Sequence, residues 1–267
     1  MTLTISGLND ITGHARYAAR KQHLLDLIDG KARPFISEPH VLASFLAQVL
    51  HESGRLRYVK EVWGPTAAQR RYEGRRGLGN IQPGDGKRYM GRDIIQITGR
   101  DNYKALTKWV RSKFRDAPDF EKNPERLESP EWFGIGALWY WTNRVPAKYI
   151  EAGDQEMITR RVNGGLNGFS DRLELHGRAA LVLLGFKAAD VRAFQARSGL
   201  EVDGIIGPMT RAALHKALVA ESGHTAPVRP DVPPPSPKPP TKPPAAKTGG
   251  LAAFFAAILK LFGRKKT

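Results

Sequence analysis

The chain has 267 residues, 41% apolar and 25% charged, enough to bury a core in one large domain or a medium domain plus a small module, and unlike a disordered, collagenous or polytopic membrane sequence. It has no cysteine, which excludes a disulfide framework, a thiolate zinc site, an iron–sulfur cluster and a cysteine nucleophile. Lys and Arg number 42 against 26 Asp and Glu, a formal charge of +16 that favours a polyanionic partner such as nucleic acid, anionic lipid or the acidic bacterial wall.

The opening run MTLTISGLNDITGHARYAARKQ has no apolar stretch and no small-residue cleavage site, so the chain is expected to be made in the cytoplasm. Helices are expected over residues 16–28, 39–51, 100–114, 130–142 and 154–162, and strand-like alternation is scarce, so residues 1–182 read as a mainly α domain with two lobes. In the second of these helices, Val41, Leu42, Phe45, Leu46, Val49 and Leu50 form one apolar face. Ser37 is the expected cap and Pro39 suits the first turn. This helix delivers His51 and Glu52 at its C-terminal end, where the helix dipole and partial burial would raise the pKa of Glu52. A carboxyl group protonated near neutrality suits a general acid. Glu61 follows nine residues later, and two carboxylates at different depths of a cleft are the minimum for glycoside hydrolysis, although spacing alone leaves many such pairs.

The Gly-rich runs GLGN and QPGDG lack the phosphate-loop pattern and read as cleft rim. Trp132, Trp139 and Trp141, with Phe133 and Tyr140, read as core rather than a sugar platform. The histidines show no metal-ligand spacing, so neither metal nor cofactor is implied.

Residues 183–220 form a compact unit. DVRAFQARSGL reads as a helix with Val191, Phe194 and Leu200 inward, EVDGIIGPMT as a Gly-rich turn, and MTRAALHKAL as a second helix capped by Thr210. From Ser222 onward the composition changes: the last 46 residues hold 10 of the 19 prolines, eight Lys or Arg and one acid. Residues 221–248 read as a Pro-rich, semi-rigid linker. Residues 249–267 read as a basic amphipathic helix whose apolar run, about 18 Å long, is too short to span a bilayer and suits an anionic membrane surface.

Two resemblances bear on function. VRAFQARSGLEVDGIIGPMTRAAL resembles the peptidoglycan-binding domain at the ends of many cell-wall hydrolases. The ordered runs HES, YEGRRGLGN, QPGDG, YMGR, IQITGRDNY and VNGGLNG, with Asp171 and Arg172, resemble the family 19 glycoside hydrolases, chitinase-like enzymes whose compact members include phage and prophage endolysins. The second resemblance implies a mainly α, lysozyme-like fold of two lobes. It implies Glu52 as general acid and Glu61 as general base, with Glu73 of YEGR as the rival, and Thr98 sharing the nucleophilic water with Glu61. Gln96, Asn102, Tyr103, Asn163 and Arg172 would bind substrate, Tyr103 by stacking on a ring. Inversion at the anomeric carbon follows, with the two carboxyl groups ~6.5–9.5 Å apart. One departure stands out: family members commonly have Gly where this chain has Asp93.

The expected function is therefore an endolysin-type hydrolase cutting β-1,4 bonds of peptidoglycan as a monomer, acting at the wall after release from the cytoplasm. A chitinase acting on chitin oligomers and an inactive wall-binding protein are the alternatives. Specific nucleic-acid binding has no supporting motif.

Overall fold

The structure, a computed structural model, describes residues 3–222. The expected linker and amphipathic C-terminal helix lie outside the described residues, apart from the first two linker positions. The described residues form thirteen α-helices in order: α1 (Ile5–Thr12), α2 (Ala18–Asp29), α3 (Arg33–Ile36), α4 (Pro39–Glu52), α5 (Ala67–Arg70), α6 (Asp85–Arg88), α7 (Arg100–Lys113), α8 (Ile135–Arg144), α9 (Ala147–Glu151), α10 (Gln155–Asn163), α11 (Phe169–Leu183), α12 (Val191–Arg197) and α13 (Pro208–Glu221). Among the described residues, extended pairing is limited to isolated bridges of Lys60 with Arg92 and Arg92 with Ile97. The fold is mainly helical, as expected.

Helix α4 is the axis of the molecule. Every residue from His40 to Leu50 is buried, so it is enclosed on all sides rather than resting one apolar face on a core. Its polar residues recur every fourth position and each meets a partner. Ser44 accepts from Gln155 of α10 at 2.9 Å, Gln48 donates to Thr159 of α10 at 3.3 Å, and the stripe ends at Glu52. Helix α11 packs along α4, burying Leu175, Ala179, Ala180 and Leu183. The polar Arg172 and His176 and the side-chain-less Gly177 break the apolar pattern on its buried face, which is why the periodicity gives no helix there. Ser37 does not cap α4: it ends the one-turn α3, and Glu38 precedes α4 without a side-chain cap.

The stretch 130–142 is two elements, because Gly134 adopts φ +81 and separates a single turn at Pro130–Trp132 from α8. The tryptophans Trp132, Trp139 and Trp141 are core residues, each at most 6% exposed. Buried Lys21 ties α1 to α2, donating to Asn9 Oδ1 and Thr12 Oγ1 at 2.8 Å.

Helices α12 and α13 share the main core: Val191, Phe194, Leu214 and Leu218 belong to the same apolar cluster as α4 and α11. Pro208, not Thr210, starts α13. Thr210 lies inside the helix and donates to the Ile205 carbonyl at 3.2 Å. Leu200 falls beyond α12 and is half-buried. Helix α13 runs through Glu221, the first residue of the expected linker.

Candidate active site

Glu52 ends α4 with its side chain 4% exposed, paired with the guanidinium of Arg172, itself 1% exposed, from the first turn of α11. Arg172 Nη1 also donates to Gln48 Oε1 at 2.5 Å, one helical turn before Glu52. Burial pushes the Glu52 pKa above the usual carboxylate range; Arg172, His51 and Asn163 pull in the opposite direction and do not cancel it. Beside this pair, Asp171 accepts from His51 Nδ1 at 2.6 Å and from Arg55 at 2.7 Å. Those partners lower its pKa to about 2. Residues 51 and 52 thus meet 171 and 172 in two successive charged contacts, which fix the register of α4 against α11.

Glu61 sits on a loop tied to Gly91 through both its backbone and its side chain, its N–H donating to the Gly91 carbonyl at 2.9 Å. Glu61 Oε2 accepts from the Gly91 N–H at 2.9 Å, and Oε1 accepts from Gln69 Nε2 at 3.1 Å and Tyr72 O–H at 3.3 Å. The phenol beside this carboxylate is pushed above its ordinary pKa by burial and by the Glu61 charge, so it remains a donor. Gly91 is a crossroads: a Cβ there would lie 2.7 Å from Gln96 Oε1, 3.3 Å from Thr98 Oγ1 and 3.4 Å from Glu61 Oε2. Three oxygens therefore converge on one small space.

The hairpin from Arg92 to Ile97 presents one of those oxygens, that of Gln96, and leads directly into Thr98, which presents the second. Its ends exchange backbone bonds at 3.2 and 2.7 Å, and Asp93 and Gln96 adopt φ +68 and +56. Positive φ explains why glycine suits the position of Asp93. Asp93 uses it for another purpose: its carboxylate accepts from the N–H groups of Gly134 at 2.6 Å and Ala137 at 3.0 Å, capping α8 from across the fold. Full burial raises its pKa to about 6 against those donors.

Gln96 Nε2 donates to the Asp93 carbonyl at 3.1 Å, while its Oε1 is buried without a protein partner. Asn163 Oδ1 is a second such acceptor. Two buried amide oxygens without donors are suited to N–H or O–H groups of a ligand. Thr98 donates its hydroxyl hydrogen to the Gln96 carbonyl at 2.9 Å, leaving its lone pairs as acceptors. Asn102 Nδ2 is committed to the Thr98 carbonyl at 2.7 Å.

Tyr103 does not fit its expected role. It is fully buried, donates to the Met90 carbonyl at 2.8 Å and accepts from Arg92 at 3.0 Å, so no ring face is left for a sugar. Both Glu73 oxygens are occupied by backbone N–H groups of Gly84 at 2.6 Å and Gly86 at 2.8 Å, a loop-holding role. Gln48, Gln69, Tyr72 and Gly91 were not singled out by sequence. Gln48 could have been, as a polar residue one turn from Glu52 in an apolar helix. No cluster of metal-ligating side chains occurs among the described residues.

The fold is that of the family 19 chitinases. Chitinase C from Streptomyces griseus HUT6037 superposes with a TM-score of 0.54 at 23% identity, over 70% of this chain and 78% of that one. The chain is also homologous to curated relatives. A glycosyl hydrolase family 19 domain-containing protein of Haemophilus influenzae is 41% identical over 116 residues, 43% of this chain and 52% of the relative. An endochitinase of Arabidopsis thaliana is 34% identical over 124 residues, 46% of this chain and 39% of the relative. The chain thus spans about half the length of these curated relatives or less. Residues 188–214 match the family described as putative peptidoglycan binding domain.

Proposed function

We propose that this protein is an endolysin-type glycoside hydrolase that cuts β-1,4 bonds of peptidoglycan with inversion. The observation that carries the reading is the asymmetry between two glutamates. Glu52 is buried with a raised pKa, and Glu61 is held by three donors beside the open acceptors of Thr98 and Gln96. A buried carboxyl retains its proton and can give it to the bridging oxygen as the bond breaks. Arg172 fixes its direction and stabilises the carboxylate left behind. Glu61, fixed as an acceptor by Gly91, Gln69 and Tyr72, takes a proton from water on the opposite face of the ring, and Thr98 accepts that water's second hydrogen. The unpartnered Gln96 and Asn163 oxygens accept from the substrate's amide or hydroxyl groups.

The peptidoglycan-binding match favours wall glycan as substrate. Chitin is the second reading, favoured by the names of the endochitinase and chitinase relatives. In the first reading the chain acts as a monomer on the wall after leaving the cytoplasm, and residues 249–267 meet an anionic membrane surface. Unchanged liposome binding after deletion of those residues would remove the last element.

Digestion of purified peptidoglycan and of chitin oligomers, with products read by mass spectrometry, tests the function. Wild type should release wall fragments ending in a reducing sugar, and Glu52→Gln should lose nearly all activity with its fold intact. Retention of half the wild-type rate by Glu52→Gln would overturn the assignment of the acid. Cleavage of chitin alone would replace the substrate.

A further inference from the structure

Seven large apolar side chains are exposed among the described residues, and three of them, Val202, Ile205 and Met209, fall within one eight-residue segment that runs from the loop after α12 into the first turn of α13. Their exposures are 44%, 63% and 73%. Exposed apolar surface gathered in one place is characteristic of interaction sites, and this segment holds more such side chains than any other of its length in the described sequence.

The segment is rigid by construction. Gln195, 1% exposed, donates to Asp203 Oδ1 at 2.6 Å and to the Ile205 carbonyl and Thr210 Oγ1 at 3.1 Å, while its Oε1 accepts from the Gly204 N–H at 2.8 Å. Arg192 donates to the carbonyls of Val202 at 2.5 Å and Asp203 at 2.9 Å. Ile206 turns the other way, onto Gly177 of α11, where a Cβ would lie 2.5 Å from it. The carbonyls of Val202, Asp203, Ile205 and Ile206 and the N–H groups of Gly204 and Ile205 are all bonded within the module, so the exposed apolar side chains stand on a backbone that needs little ordering on binding.

The charge of the module narrows the partner. The matched residues 188–214 carry three acids (Asp190, Glu201, Asp203) and three bases (Arg192, Arg197, Arg211), a formal charge of zero in a chain of +16. This surface therefore does not recognise a polyanion by charge. Branched and thioether side chains also lack the flat ring that stacks on a sugar, and they complement methyl groups. We propose that Val202, Ile205 and Met209 are the contact surface of the module for the methyl-bearing lactyl and peptide substituents of wall glycan, not for its sugar rings. The inference rests on the wall-binding reading, and the matched residues 188–214 include all three.

Co-sedimentation of the full-length protein, in a Glu52→Gln background, with intact sacculi and with glycan strands stripped of peptide and lactyl groups tests it. Intact sacculi should be bound, and stripped strands at least tenfold more weakly. The triple variant Val202→Ser, Ile205→Ser, Met209→Ser should lose at least tenfold in affinity for intact sacculi with an unchanged melting temperature. Met209→Ser alone, at the most exposed position, serves if the triple variant does not fold, and it should lose severalfold. Equal binding by the variants, or equal binding of stripped and intact strands, would overturn the inference while leaving the wall-binding reading in place. Dependence on the patch that appears only after removal of residues 223–267 would assign it to the chain's own tail and overturn it too. Failure of the wild type to bind intact sacculi would overturn the wall-binding reading itself.

Discussion

Replacing Arg172 by Met should destabilise the protein by an amount that depends on pH. The substitution removes one partner of an ion pair whose side chains are 1% and 4% exposed. Two losses combine. Gln48 Oε1, which accepts from Arg172 Nη1 at 2.5 Å, loses that donor at a buried site, at about 1–3 kcal/mol whatever the pH. Glu52 loses its counter-charge, and breaking a buried pair from one side costs about 3–5 kcal/mol if the remaining charge persists. Burial already holds the Glu52 pKa above its ordinary value with Arg172 the largest opposing influence, so without Arg172 it rises further. A carboxyl group whose folded pKa lies above its unfolded value binds more protons in the folded state, and stability falls as pH rises between the two values. The variant's deficit should therefore stay at the Gln48 contribution until wild-type Glu52 ionises. It should then grow by about 1.4 kcal/mol per pH unit until the variant's Glu52 ionises as well. Denaturant unfolding of both proteins at half-unit intervals from pH 4 to 8 measures this directly. A deficit that is constant across the range would refute the electrostatic coupling of Glu52 to Arg172.

Four further outcomes follow from the same geometry. Gly91→Ala places a methyl group 2.7 Å from Gln96 Oε1 and within 3.4 Å of Glu61; displacement of that magnitude should lower the hydrolysis rate by about a hundredfold, and a variant at half the wild-type rate would show that no reacting water lies there. Tyr72→Phe removes one of three donors to Glu61 and should reduce turnover about tenfold, roughly 1.4 kcal/mol, with little change in melting temperature. Asp171, whose pKa is lowered to about 2 by His51 and Arg55, contributes stability that is present above its unfolded value and lost as pH falls through 2. Asp171→Asn should therefore be about 2 kcal/mol less stable near neutrality, and the gap should close in acid unfolding below that point. Nuclear magnetic resonance of the first product formed should show the anomer opposite to the substrate's, and retention would place the two glutamates in the other mechanistic class.

The course of α4 was legible in its sequence, because the apolar positions recur with the period of a helix and Pro39 marks the first turn. Delivery of Glu52 at its end followed. Tyr103 shows a signal overlooked: it stands in phase with Leu106, Thr107 and Val110, all buried on one side of α7, so its spacing already argued for core over sugar contact. Helix α11 was illegible for a physical reason. Arg172 can be buried only because Glu52 and Gln48 meet it from a segment more than a hundred residues away, and local periodicity carries no record of such a partner.

Asp93 makes the same point at the site itself. On sequence it is a departure from a glycine pattern, and a charged residue there suggests an altered loop near the cleft. In the fold the backbone keeps the positive φ that glycine supplies, and the side chain turns away from the cleft to cap α8 at Gly134 and Ala137. The cap falls where Gly134 interrupts the aromatic stretch, so one side chain both closes the start of α8 after that break and anchors the Arg92–Ile97 hairpin. That hairpin carries Gln96 and leads into Thr98. The departure therefore acts on the cleft by fixing its scaffold, and the three oxygens around Gly91 keep their arrangement without any direct contribution from the Asp93 carboxylate.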